Sequence, residues 1–153
     1  MTKRRFFAVI ALGLAAVAAF WMVFGDPVAL QRRSRLTEAL TSAPAGTATL
    51  EAVVPFEWDA VYSFDPYTSA QEMAGVMGVP AAGLPETVSE GMSQLIFVQD
   101  GRVVCAVVGY PSRLGWRVQL PDAGHGYTMV RCGEGMRFEV TKSGEVTVWD
   151  AVG

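Results

Sequence analysis

Apolar positions run without a break near the start of the chain and then alternate with polar ones or gather in short clusters. From Phe6 to Phe24 only Gly13 falls outside the apolar set. As a helix this stretch spans about 28 Å at ~1.5 Å per residue, close to the ~30 Å hydrocarbon core of a bilayer. The pattern therefore predicts a basic N-terminus over 1–5 and a transmembrane anchor over 6–24. A cleaved signal peptide is the competing reading, with Lys3, Arg4 and Arg5 as its basic region and Ala16-Val17-Ala18 as a small-residue cleavage site. The run continues through Phe20, Trp21, Met22, Val23 and Phe24, past the usual length of a signal-peptide core, and this favours the anchor.

After the apolar run, Asp26-Pro27 is a helix-start signal, and Leu30, Leu36 and Leu40 follow it as a partial stripe. A short helix is expected from Pro27 to about Thr41. Thr41 to Thr49 is small, uncharged and carries Pro and Gly, so 25–49 reads as a juxtamembrane helix and linker. A folded domain is expected over 50–153. Within it, Phe56, Trp58, Ala60, Tyr62 and Phe64 fall on one face of a strand and Glu57, Asp59, Val61 and Ser63 on the other, which predicts a core face and a wet face. Asp65-Pro66 turns the chain. Ser69 with Glu72 three residues later is a capping box, opening a helix that runs to about Met77 and stops at Gly78 and Pro80.

Leu95–Val98 and Val103–Val108 are apolar runs around Asp100-Gly101, the pair selected by a type I′ hairpin turn. Lacking alternation, they predict strands covered on both faces. Further strands are expected at 117–120, 127–132, 136–141 and 145–149. A three-residue Lys142-Ser143-Gly144 loop between the last two puts Phe138, Val140, Val146 and Val148 on one face. The expected fold class is α+β: an N-terminal transmembrane helix followed by a small domain with an antiparallel sheet and one or two helices.

Composition fits this division, since the chain is 51% hydrophobic but only about 45% so outside 6–24, an ordinary globular value. Met1 to Arg35 carries six basic residues and one acid, net +5, whereas Leu36 to Gly153 carries six basic and fourteen acidic, net −8. An acidic domain without a basic cluster is a poor nucleic-acid binder. Lys3, Arg4 and Arg5 abut the apolar run, while Arg32, Arg33 and Arg35 lie farther off behind Asp26. That asymmetry predicts a single-pass protein with its N-terminus inside and its domain extracytoplasmic, or a secreted domain if the segment is cleaved. Lipid, met through 6–24, and another envelope protein are the expected partners.

Candidate chemistry is sparse. Cys105 and Cys132 are the only cysteines, in strands that a simple meander makes neighbours. In an exported domain they are candidates for a disulfide, with two free thiols as the alternative. One histidine and no CxxC give no metal site, and no nucleotide or nucleophile motif is present, so no cofactor and no catalytic set is assigned. His125, in the Gly-rich loop Asp122-Ala123-Gly124-His125-Gly126, reads first as a loop residue. Glu57 and Asp59 share a strand face about 7 Å apart and Asp65 lies about 20 Å from Asp59 along an extended strand, so local geometry does not converge them. Asp59, Asp65 and Tyr67 are the binding candidates, with Tyr67 at the rim of the aromatic face formed by Trp58, Tyr62 and Phe64.

Trp58-Asp59-x-x-Tyr62-x-Phe64-x-Pro66-Tyr67-Thr68, followed by a short helix and Leu95-Ile96-Phe97-Val98-x-x-Gly101-x-Val103-Val104, resembles a group of small, uncharacterised bacterial exported or lipid-anchored proteins. The resemblance covers about 56–110 and implies a bacterial, exported setting without implying an activity. No cysteine follows the apolar segment, which points to a protein rather than a lipid anchor. The leading expectation is thus a membrane-tethered, non-catalytic domain that contacts another protein. The alternatives are a small envelope hydrolase using His125 near Asp122, and an immunity or inhibitor protein.

Overall fold

The structure, a computed structural model, describes residues 26–153. Two compact units meet at Gln31/Arg32. The described part of the first is the opening turn of helix α1 (Pro27–Ser42), where Asp26 Oδ1 accepts the Val28 N–H at 2.9 Å, as the Asp-Pro signal predicts.

The second unit, Arg32–Gly153, contains two four-stranded sheets. One has the order β1-β7-β8-β5, made of Gly46–Thr49, Arg137–Ser143, Val146–Ala151 and Trp116–Gln119. The other has the order β4-β3-β2-β6, made of Arg102–Gly109, Ser93–Gln99, Ala60–Phe64 and Tyr127–Arg131. Short helices α2 (Leu50–Val53), α3 (Ala70–Met77) and α4 (Pro111–Leu114) fill the connections.

Both sheets and α1 contribute to one apolar core. Phe138, Trp149, Trp116 and Val118 come from the first sheet, Val61, Leu95, Phe97 and Val130 from the second, and Leu36 and Leu40 from α1. α1 is also bonded to both sheets: Trp149 Nε1 donates to the Leu40 carbonyl at 3.1 Å, and Arg32 Nη1 donates to the Val104 carbonyl at 3.1 Å. A second cluster lies on the other face of the β4-β3-β2-β6 sheet, where Met73 and Met77 of α3 meet Phe64, Ile96, Val98 and Ala106.

Several sequence expectations hold. The capping box is complete, with Ser69 Oγ accepting the Glu72 N–H and Glu72 Oε2 accepting the Ser69 N–H, and α3 ends on a left-handed Gly78. Asp100 and Gly101 both have positive φ, as a type I′ turn requires. Strand β3 is buried along nearly its whole length.

Others are corrected. The expected fold with a transmembrane helix gives way to an α+β domain with two sheets: among the described residues no helix is long and apolar enough to cross a membrane. The stretch 6–24, to which hydropathy assigns a single-pass membrane anchor, lies outside the described residues. Within the linker expected over Thr41–Thr49, Thr41 and Ser42 close α1 and Gly46–Thr49 forms β1, which pairs with β7 from Gly46↔Val140 to Thr49↔Arg137. Its small residues serve as an edge strand because β7 supplies the hydrogen bonds.

The strand expected over 56–64 begins only at Ala60, and Val61, assigned to the wet face, is fully buried. Its sheet is covered on both sides, by the shared core and by α3. Phe56 and Trp58 instead pack edge-on against Phe97, with ring centroids 5.2 and 5.5 Å apart.

In the last hairpin Ser143 pairs with Val146, leaving a two-residue Gly144-Glu145 loop. The pairings Phe138↔Ala151 and Val140↔Trp149 therefore place Trp149, not Val148, on the Phe138 face. Burying the larger indole decides the register. The expected all-antiparallel sheet contains one parallel pair, β5 with β8, because the chain leaves this sheet after β5 to form β6 and returns through β7.

Candidate functional site

The Asp65-Pro66-Tyr67 turn after β2, helix α3 and the loop before β6 enclose an open groove of about 560 Å³. Phe64, Asp65, Tyr67, Glu72, Val76, His125 and Tyr127 line it. The turn is held by the Thr68 hydroxyl, which donates to the Asp65 carbonyl at 2.7 Å, and by the Tyr67 N–H, which donates to the Thr87 carbonyl at 2.7 Å. These bonds fix Tyr67 at φ 68° with 70% of its surface exposed. Across the groove, Gly124, His125 and Gly126 all have positive φ. Flanking glycines make that path available, and the Gly124 N–H donates to Asp122 Oδ1 at 2.8 Å to start it.

The two walls are tied together where the Asp65 N–H donates to the Gly126 carbonyl at 3.0 Å. A β-carbon on Gly126 would stand 3.6 Å from Asp65 Oδ2, so the carboxylate lies against that glycine. Behind it, Tyr62, Phe64 and Tyr127 form an aromatic wall with centroids 5.7–6.2 Å apart. Tyr67 and His125 are thus two non-glycine residues in left-handed backbone on the same groove, a conformation costing about 1–3 kcal/mol each and tolerated where surrounding structure enforces it.

Asp65 also lines two neighbouring hollows. One of about 360 Å³ adds Asp122 and Gln119, and one of about 330 Å³ adds Ser63, Gln94 and residues 117–120 of β5 and its exit. The groove therefore continues from α3, past Asp65, to the edge of β5. Its charge is uneven: Asp65, Glu72 and Asp122 are acidic, and the single guanidinium, Arg117, stands 3.9 Å from Asp150. Hydrogen bonds from the Ser69 backbone and hydroxyl hold the Glu72 carboxyl below its ordinary range, so its negative charge persists into mild acid. Among the described residues, the side chains of Asp65, Tyr67 and His125 have no hydrogen-bond or ion-pair partner, and their polar ends are uncommitted.

Of the sequence candidates, Asp65 and Tyr67 come together here and Asp59 does not. Asp59 stands at the opposite end of β2, where its Oδ2 accepts the Asp100 N–H at 2.7 Å and pins the hairpin turn. His125 shares the site with Asp122, yet no hydrogen bond joins the imidazole to either Asp122 or Asp65, so these groups are not linked as a proton relay. No three His, Cys, Asp or Glu side chains converge as a metal site among the described residues.

The disulfide candidate is corrected as well. Cys105 and Cys132 are both free thiols, one buried and one exposed. Cys105 lies in β4 and Cys132 follows β6, on opposite edges of the sheet and three strand spacings apart, about 14 Å against the ~7 Å limit for a bridge. The meander assumption fails because β2 and β3 lie between them. Burial pushes the Cys105 thiol up to about 11. Partial desolvation, then the Glu51 and Asp59 carboxylates, raise Cys132.

No family model, curated protein or solved structure matches this chain. Sequence reasoning missed Tyr127, Val76 and the buried Gln94 behind the groove; nothing in their local pattern distinguishes them from ordinary strand and helix residues.

Proposed function

We propose that this protein is a binding domain that recognises a protein partner through the groove between the β2–α3 turn and the loop before β6. The observation carrying this reading is the meeting of two strained non-glycine residues, Tyr67 and His125, with the uncommitted carboxylate of Asp65 on one open surface. A partner presents a cationic group to Asp65 and an apolar or ring surface to Tyr67 and Tyr127. Both contacts gain from the acidic, aromatic lining.

Replacing Tyr67 with a photocrosslinking amino acid in the full chain, in its native cells, tests this. The expected result is one dominant crosslinked protein, lost in the Asp65→Asn background and absent when the probe replaces Glu139, an exposed residue on β7 remote in sequence from the groove. The same adduct pattern from both positions would overturn the reading.

A further inference from the structure

We infer that the occupant of the groove is an amphipathic α-helix of the protein partner, lying on the outer face of β2 and β6 alongside α3. This rests on the groove being a protein-binding site, and it names the element that fills it.

The outer face of the β4-β3-β2-β6 sheet is only half covered. Helices α1, α2 and α4 send Leu36, Leu50 and Leu114 into the shared core, so among the described residues α3 is the single helix on this side. A helix is about 10 Å across and strands lie about 4.8 Å apart, so one helix roofs about two strands. Met73 and Met77 of α3 sit on Ile96 and Val98 of β3 and Ala106 of β4, and meet β2 at Phe64. Val130 points into the core, and alternation therefore turns Tyr127, Met129 and Arg131 outward beside Tyr62. Half-buried Tyr62, Tyr127 and Met129 thus form a strip two strands wide, room for one more helix.

Gly75 is an independent sign of close approach. It lies in the body of α3, where glycine weakens a helix, and a β-carbon there would meet nothing within 4 Å, so no packing inside the chain calls for it. It is exposed on the groove wall together with Glu72 and Val76. Glycine at this place lets a second backbone come close to α3. Val76 and Tyr67, both exposed, supply apolar contacts on either side.

Charge fixes the ends of the occupant. Asp65 and Glu72 stand at one end of the strip. At the other is Arg131, whose guanidinium has no hydrogen-bond or ion-pair partner among the described residues. From Tyr127 to Arg131 is about 14 Å along β6, the length of a helix of about nine residues. The docked helix therefore carries a basic residue at one end of its apolar stripe and an acidic one at the other. It lies on the α3 side of Asp65, whereas Arg117 lines the hollow on the β5 side.

A diazirine amino acid in place of Val76 or, separately, of Met129 tests this in the full chain and its native cells, with the partner residues it reaches mapped by mass spectrometry. Both positions are expected to capture the protein captured from Tyr67, at residues three, four or seven apart within one stretch. Gly75→Gln places a helix-favouring side chain in the strip. It is expected to raise the melting temperature of the purified chain by about 3 °C and to cut the Met129 adduct about tenfold. Arg131→Glu cuts that adduct about threefold.

Adducts from Tyr67 with none from Met129, captured residues two apart as in a strand, or a Met129 adduct unchanged by Gly75→Gln overturns the docked helix while the groove reading stands. Failure of the groove reading has a separate signature, the indistinguishable crosslinks from Tyr67 and Glu139.

Discussion

The buried amide of Gln94 holds the main chain of Phe64, its Oε1 accepting the Phe64 N–H at 2.8 Å. Its Nε2 donates to the Pro85 carbonyl at 2.8 Å, so one side chain joins the end of β2 to the loop whose Thr87 carbonyl fixes Tyr67. Gln94→Met keeps the length of the side chain and removes both bonds. One buried and one partly buried backbone group left unpaired lower stability by about 2–4 kcal/mol, measured by urea unfolding. Hydrogen exchange at the Tyr67 amide is expected to speed up more than at Val61, which lies in the core of the same sheet.

The capping box gives a pH dependence with a defined sign. Glu72 is held below its ordinary carboxylate value of 4.5, so it contributes stability above that pH and loses the contribution as pH falls through the lower folded-state value. Glu72→Gln is therefore expected to melt below the native protein at neutral pH, with the difference shrinking below about pH 4.5. Thermal melts between pH 7 and pH 3 check this. A difference constant across that range would show that the charge is not what matters.

Thiol chemistry separates the two cysteines. With Cys105 at about 11, its thiolate fraction at pH 8 is about one in a thousand, and the side chain is buried. One thiol, Cys132, is expected to react with Ellman's reagent in the folded protein, and two after denaturation. The same shift has an alkaline consequence: the unfolded thiol ionises from about 9 while the folded one stays protonated to about 11, so stability falls as pH rises across that window. Cys105→Ala removes this part of the alkaline slope.

Gly115 stands at φ 79° after α4, and a β-carbon there would meet Thr41 Cγ2 at 2.9 Å. Gly115→Ala combines left-handed strain with a clash against α1, and is expected to cost about 2–4 kcal/mol in denaturant unfolding. The double variant Gly115→Ala with Thr41→Ser, which removes the obstructing methyl, recovers part of the loss and leaves the backbone strain.

Local chemistry was legible wherever a few adjacent residues settle the backbone. Ser69 with Glu72, Asp100-Gly101 and Asp26-Pro27 each satisfy their own hydrogen bonds or dihedrals, and the elements they start or join stand where they predict. Partners distant in sequence made the remainder illegible. Gly46–Thr49 is a strand because Arg137–Val140 lies beside it, and Val61 is buried because the strand face expected to be wet meets the shared core, while α3 covers the other face. Asp65, Tyr67 and His125 each stood out in the sequence, but their convergence depends on β2 pairing with β6, which brings Asp65 to Gly126. Asp59 shows the converse: a carboxylate noticed for its neighbours serves a turn 41 residues away.

The pairing of β1 with β7 has a consequence for synthesis. As the polypeptide leaves the ribosome, Gly46–Thr49 waits for about 90 further residues before its hydrogen-bonding neighbour emerges, and α1 waits longer for Trp149. The β2–β3–β4 meander can form in the meantime. The nascent chain therefore passes through a stage in which half of the molecule is assembled and the hydrophobic side of that half, Leu95 and Phe97 included, is still uncovered, the interval in which a chaperone has most to do.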